Sequence, residues 1–171
     1  VDEALVTMGS LDSRGYEHDR SDSELVLLHV DEQGIAHLAL NDPSRCNAMD
    51  FALAEQLNTK IDAMEAGEFG EVRAVMFYGK GEHFCVGVNP YSFIKNTKRL
   101  PVITAASVTK FIYTAFVRVR QIKAPVVCVA HGKIVGGGFA AMLNSDYRIL
   151  VGDDTTVLNY GNMPRGVCPG V

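Results

Sequence analysis

A mixed α/β fold, with parallel strands alternating with helices, is what the 171-residue sequence predicts, and three observations predict it. Short apolar runs alternate with longer stretches whose apolar residues recur at i, i+3 and i+4. Two of those runs are followed by glycine-containing loops, the usual connection at the carboxyl end of a parallel strand. The composition, 47% hydrophobic and 21% charged, suits a chain that buries a core.

The elements follow in order. Residues 1–23 are mixed and polar, with Gly9, Gly15 and clustered Ser, Asp and Arg, and read as a flexible arm or linker ahead of a core domain over 24–171. Leu25–Leu28 and Ile35–Leu40 are apolar runs joined by Asp31-Glu32-Gln33-Gly34, a hairpin signal. Asn41–Asn47 is a loop broken by Pro43. Asp50 is placed to cap a helix carrying Leu53, Leu57, Ile61 and Met64, which Gly67 stops. Val72–Tyr78 reads as a buried strand, and a second helix over about 104–121 carries Val108, Phe111, Ile112, Ala115 and Val119. Pro125–Ala130 is a strand, Gly136-Gly137-Gly138 opens a third helix to Leu143, and Tyr147–Val151 is a last strand. This alternation implies right-handed βαβ units. No internal repeat or low-complexity tract interrupts it.

Charge and cysteine usage narrow the function classes. Sixteen Lys plus Arg against 20 Asp plus Glu give a net charge of −4, a poor match to nucleic acid. No uninterrupted apolar stretch approaches about 18 residues, so no membrane partner is expected. The Val1-Asp2-Glu3-Ala4 start does not read as a signal peptide. Cys46, Cys85, Cys128 and Cys168 form no C-x-x-C pair, which argues against zinc knuckles and thioredoxin-like sites. A disulfide pair stays open, but four reduced thiols in a cytoplasmic protein are the expectation. P-loop, dinucleotide-binding and nucleophile-elbow patterns are absent. The histidines (18, 29, 37, 83, 131) have no metal-ligand spacing, and His29 and His37 read as structural strand residues.

Two loops carry the remaining signal: His83–Pro90, and Ala130–Phe139 with its glycine triplet. Glycines at a helix start leave backbone N–H groups free at the positive end of the helix dipole. Two such loops side by side can present two N–H donors to a developing oxyanion. The steric alternative is that the glycines simply let a helix pack closely on a sheet.

In this order and context the segments Leu40–Met49, Phe84–Asn89, Ala124–Gly132 with Gly136–Gly138, and Asp146–Ile149 resemble the crotonase superfamily, the enoyl-CoA hydratase/isomerase family. The resemblance spans about residues 25–171. It implies a spiral of ββα units and an acyl thioester substrate on coenzyme A or a phosphopantetheine arm, with no separate cofactor or metal. It also implies an oxyanion hole whose backbone donors are Val88 and Gly137, and a substrate-binding surface including Arg45, Cys46, Ala48, Val86, Gly136 and Asn162. Arg45 could pair with a phosphate there or be a solvated surface residue.

The departures from the family pattern matter as much. Its hydratases carry two acid/base carboxylates, and the matching positions here are Ala140 and Asn162. Neither side chain can shuttle a proton as a carboxylate does. Tyr91 and Lys95, four residues apart after the first loop, resemble the pair used by crotonase-like decarboxylases of polyketide assembly lines, and are tentative proton donors. They could equally be a surface tip. His83, His131 and Tyr160 are expected to flank the pocket.

The expected function is therefore enolate chemistry on an acyl thioester, decarboxylation or isomerisation rather than hydration, in polyketide or fatty-acyl metabolism. The alternatives are an enoyl-CoA hydratase/isomerase of fatty-acid metabolism and a catalytically silent crotonase module. The partners expected are acyl-CoA or an acyl carrier protein, with assembly as a homotrimer or hexamer. The chain stops in a Gly/Pro loop, which suggests a fold incomplete at its C-terminus. The strands around Val126–Val129 and the helix after Gly138 are then expected to bury their apolar faces incompletely.

Overall fold

The computed structural model describes residues 23–89 and 101–161. The expected arm over 1–23 lies outside them except for Ser23. The chain forms strands β1 (Val26–Val30) and β2 (Ile35–Leu40), helix α1 (Phe51–Glu65), strand β3 (Ala74–Gly79), helix α2 (Val102–Arg118), strands β4 (Val126–Ala130) and β5 (Lys133–Val135), helix α3 (Gly137–Leu143), and strands β6 (Tyr147–Leu150) and β7 (Val157–Asn159).

Five strands build the main sheet in the order β1-β2-β3-β4-β6. β1 and β2 are antiparallel, with Val26 opposite Leu40 and His29 opposite His37. The other three pairings are parallel, each made possible by a helical crossover between the paired strands. The hairpin turn is held by Asp31, whose Oδ1 accepts from the backbone N–H of Gln33 and of Ile35, both at 2.9 Å. His29 and His37 stack with ring centroids 4.4 Å apart on the sheet face away from Leu38 and Leu40.

α1 starts and stops for local reasons. The Asp50 carboxylate accepts from Leu53 N–H at 3.1 Å, satisfying one of the orphan donors of the first turn. At the other end Gly67, at φ +83°, donates to Met64 O, and Glu68 N–H reaches back to Ala63 O. That pair of bonds is the Schellman closure, in which the residue after the cap turns left-handed. Leu53, Leu57, Ile61 and Met64 form the buried stripe.

The core lies between one face of the sheet and the helices. Leu38, Leu40, Phe77, Cys128 and Ala130 meet Leu53, Leu57, Ile61, Ile112, Phe116 and Val119. Phe51 on α1 stacks on Phe111 of α2 at 4.8 Å. With the 3₁₀ turn that follows it, α2 runs 20 residues at a mean hydropathy of 1.3, long and apolar enough to cross a membrane by length and composition. The expectation from uninterrupted apolar runs missed this because Lys110 and Arg118 break the run. The stripe of Val108, Ile112, Ala115, Phe116 and Val119 is buried, and α2 packs on both α1 and α3, so its apolar face has a partner in this fold. Arg118 pairs with Asp62 of α1.

One expectation needs correction and one holds in part. β5 and β7 pair in parallel as a separate two-stranded sheet; β5 falls where the sequence reads as loop, and β7 falls where it indicates no element. Three-residue strands are too short to show a period. The second concerns burial. β4 buries Val126, Cys128 and Ala130, and α3 buries Ala140, Ala141 and Met142. The expectation holds in part: Val127 and Val129 of β4 and Phe139 of α3 are half-buried and Leu143 at the end of α3 is exposed, but the larger exposed apolar surface lies on Tyr147, Ile149, Leu150 and Val151 in and just after β6, on Val157 and Leu158 of β7, on Tyr160, and on Val102 and Ile103 at the start of α2. β4 is covered because it is central, whereas β6 is an edge strand among the described residues.

Candidate active site

Three loops leave the carboxyl ends of the adjacent parallel strands β2, β3 and β4, and they meet. The first, after β2, makes a 3₁₀ turn at Pro43–Arg45 and then holds two consecutive non-glycine residues in the left-handed region, Cys46 at φ 55° and Asn47 at φ 53°. The second, after β3, runs beside the first: Val86 N–H donates to Cys46 O at 3.2 Å, Met49 N–H to Gly87 O at 2.7 Å, and Asn89 N–H to Met49 O at 2.8 Å. On its other flank this segment pairs with β5, where Cys85 bridges Ile134 and Val135 N–H donates to Cys85 O at 3.0 Å. The third loop is β5 itself, running into the start of α3.

The position of the Val88 amide follows from this pairing. In a parallel bridge, one residue uses both its backbone groups while the residue opposite turns its own groups to the far side. Met49 is the residue that bonds both ways, to Gly87 and Asn89, so the Val88 N–H points away from Met49. That far side is where α3 begins. Gly87, at φ +87°, lies so close that a Cβ there would stand 2.7 Å from Val135 O and 3.0 Å from Gly137 N. Gly136 caps α3 at φ 54°, donates to Asn159 O and accepts from Ala140 N–H. Gly137 is the first helical residue, where an N–H has no partner within the helix. The structure thus sets the Gly87–Val88 peptide against the first residue of α3.

Packing accounts for part of the glycine triplet. A Cβ on Gly137 would stand 2.3 Å from the ring of Phe116, and one on Gly138 would stand 2.2 Å from Cys85 O. The steric alternative is therefore real at both positions.

The other expected site residues are distributed as follows. Arg45 ends the 3₁₀ turn half-buried, and its carbonyl accepts from Ala48 N–H at 3.0 Å. Cys46 is half-buried, Ala48 is buried, and Val86 and Gly136 are half-buried beside the two central loops. Ala140 is buried on α3, one turn past Gly136, and brings no ionisable group. Tyr91, Lys95 and Asn162 lie outside the described residues. His131 Nε2 donates to Gly81 O at 2.8 Å, and His83 Nδ1 lies 2.8 Å from Glu82 O. Both imidazoles brace the loop between Gly81 and Phe84. Tyr160 packs edge-on against Phe139, with centroids 4.7 Å apart. Burial pushes the thiols of Cys85 and Cys128 up to about 12, so neither is a nucleophile at neutral pH. Among the described residues no group of three metal-ligating side chains comes together.

The residue that sequence reasoning passed over is Asn47. It is fully buried. Its Nδ2 donates to Lys80 O at 3.0 Å, His83 O at 2.8 Å and Phe84 O at 3.1 Å, while its Oδ1 accepts from Asp42 N–H at 2.8 Å. No local signal marks it, because an asparagine in a polar loop is ordinarily a turn residue.

The family model for enoyl-CoA hydratase/isomerase matches residues 35–171. The chain belongs to that family. Among curated relatives, the fatty acid oxidation complex subunit alpha of Vibrio campbellii is 28% identical over 155 residues, covering 88% of this chain and 21% of the relative. The same subunit of Aliivibrio fischeri is 27% identical over 143 residues, covering 82% and 20%. Solved structures show the crotonase fold. AtuE of Pseudomonas aeruginosa superposes with a TM-score of 0.73 at 24% identity, covering 85% of this chain and 54% of that one. An enoyl-CoA hydratase/isomerase from Xanthobacter autotrophicus Py2 gives 0.65 at 24% identity, covering 74% and 46%. The chain spans about half the length of these solved structures and about a fifth of the curated relatives.

Proposed function

We propose that this chain supplies the enolate-stabilising part of an enzyme acting on an acyl thioester. The observation that carries the reading is the Val88 amide, turned away from its bridge partner towards the first residue of α3. A thioester carbonyl between the Val88 and Gly137 N–H groups would gain most as its oxygen becomes anionic, because fixed dipoles act on the charge that develops in the transition state. Removing an α-proton or a carboxylate leaves the same enolate, so the arrangement serves isomerisation and decarboxylation alike.

Ala140 argues against hydration, which needs a group to activate water. The Pro43–Met49 loop, with Arg45, Cys46 and Ala48, is proposed to lie along the coenzyme A or phosphopantetheine moiety, joined by Val86, Gly136 and Asn162. Tyr91 and Lys95 are the proposed proton donors. The relatives named for fatty acid oxidation favour a fatty-acyl-CoA over a polyketide carrier, and enoyl-CoA isomerisation is the reaction we favour. Self-association as a trimer or hexamer is proposed with it.

The deciding experiment compares 3-enoyl-CoA, crotonyl-CoA and malonyl-CoA as substrates. Conjugation of the 3-enoyl thioester, read as a rise in near-ultraviolet absorbance, without hydration of crotonyl-CoA, is the expected result. Decarboxylation alone would move the assignment to the second enolate reaction. Robust hydration would refute the argument from Ala140. Binding of all three without turnover would favour the silent module, the second reading that the buried Ala140 supports.

A further inference from the structure

We infer that Asn47 is the positioning residue of the site: its carboxamide locks the first loop to the second and thereby holds the Val88 donor in place. The inference rests on the enolate reading above and extends it to a residue that touches no substrate atom.

Three features carry it. The first is hydrogen bonding at both ends of the carboxamide, with its two N–H groups shared among three carbonyls. A carboxamide has two N–H donors and two acceptor lone pairs. Asn47 brings three carbonyls of residues 80–84 onto its Nδ2 and the Asp42 amide onto its Oδ1. Flipping the amide would point its oxygen at three carbonyl oxygens, so the orientation is determined. The second is backbone conformation. Asn47 stands at φ 53° immediately after Cys46 at φ 55°. Asparagine is among the few residues with a side chain that visit this region readily. Asp42 closes the turn, with Asn47 N–H donating to Asp42 O at 2.9 Å. The third is location. The carbonyls that Asn47 gathers end at Phe84, the residue before the segment that pairs with Cys46 and Met49 and leads into Val88. Gly79 is part of the same junction: a Cβ there would lie 2.4 Å from Phe84 O and 2.8 Å from Asn47 Nδ2. The two loops therefore meet at a buried polar node, and the donor hangs a few residues beyond it.

A residue that only stabilised the fold would alter how much protein is folded. A positioning residue alters what the folded protein does to a bound carbonyl. The probe is acetoacetyl-CoA, a thioester whose 1,3-dicarbonyl ionises readily and whose enolate absorbs in the near ultraviolet. Full-length protein is compared with Asn47→Gly, which keeps the left-handed backbone easy while deleting the amide, and with the near-isosteric Asn47→Asp, which offers no donor to the three carbonyls when ionised. Folding is followed by circular dichroism and affinity by titration with free coenzyme A.

The unmodified protein is expected to raise the enolate fraction of bound acetoacetyl-CoA. Either folded variant is expected to lose that enhancement by about tenfold or more at saturating acetoacetyl-CoA, part of the roughly 100- to 1000-fold that outright loss of one such donor costs. A folded variant that keeps the full enhancement overturns the role of Asn47 and leaves the enolate reading intact. Loss of coenzyme A affinity with the enhancement retained overturns it too, because the node would then serve the first loop alone. Unfolding of both variants assigns Asn47 a purely structural role and equally overturns the inference. No enhancement in the unmodified protein refutes the enolate reading itself, and the inference falls with it.

Discussion

Replacing Gly138 with alanine tests whether the close approach between α3 and the second loop is needed. The added methyl would stand 2.2 Å from Cys85 O and 2.8 Å from both Cys85 C and Cys85 Cβ. Real Cβ contacts do not fall below 3.0 Å, so the two backbones must part by at least 0.8 Å, the difference between 3.0 and 2.2. Cys85 cannot move alone, because its carbonyl accepts from Val135 N–H and its residue bridges Ile134. Overpacking of this kind costs about 1–3 kcal/mol, against a gain of up to about 1 kcal/mol from alanine's better helix propensity. With the full propensity gain the net expectation is a loss of roughly 0–2 kcal/mol, read as a lower urea midpoint at unchanged m-value. The functional effect should be larger, since a displacement of about 1 Å at a reacting centre can cost on the order of 100-fold. Gly137→Ala supplies the contrast. Its methyl meets the end of the Phe116 ring, not backbone, so it should destabilise the core while leaving residues 85–88 in register with β5. Acetoacetyl-CoA enolisation should therefore fall further in Gly138→Ala than in Gly137→Ala. Equal enolisation in both would refute the reasoning.

Three further outcomes are expected. Asp50→Ala should lower stability by about 0.5–2 kcal/mol through loss of the α1 cap, measured by equilibrium denaturation, with no change in acyl-CoA affinity. The Ile35 N–H bond, aided by His37 and Gln33, lowers the Asp31 carboxyl below its ordinary value. Its contribution is therefore present above about pH 4 and is lost as pH falls through the folded-state value, so the stability gap between the parent and Asp31→Asn should close on acidification; a gap that widens at low pH refutes it. Iodoacetamide at neutral pH should label Cys46 in the native protein but leave Cys85 and Cys128 unmodified until denaturant is added, by peptide mass spectrometry, because burial keeps those two thiols protonated.

Much of the fold was legible because its causes are local. The Asp50 cap, the Gly67 stop, the apolar stripes of α1 and α2 and the Asp31–Gly34 turn each need only a few neighbouring residues. β5 and β7 were not legible, since Ile134 becomes a strand residue only by pairing with Cys85 and Leu158. The exposed apolar surface was expected on β4 and α3, where only Leu143 is exposed and Val127 and Val129 are half-buried; more of it lies on β6 and β7, because exposure depends on a strand's place in the sheet and not on its composition. At the site, the two glycine loops stood out, but bringing Val88 beside Gly137 came from the family resemblance. Asn47 was invisible for the same reason as β5: the carbonyls it gathers lie more than 30 residues away.

The glycine triplet and the Val88 amide differ in what they can say about chemistry. Gly137 and Gly138 each have a packing reason to lack a side chain, in Phe116 and in Cys85, and would be required in a silent domain of the same fold. Those two residues cannot by themselves separate an enzyme from a scaffold. The Val88 amide has no such reason. The bridge to Met49 turns it away from that strand, and among the described residues no backbone acceptor takes it up. A backbone donor facing away from its own pairing and towards a helix start incurs a desolvation cost unless water or a ligand accepts from it. In the proposed reading a ligand oxygen takes the place of water at this half-exposed residue, whichever group moves the proton.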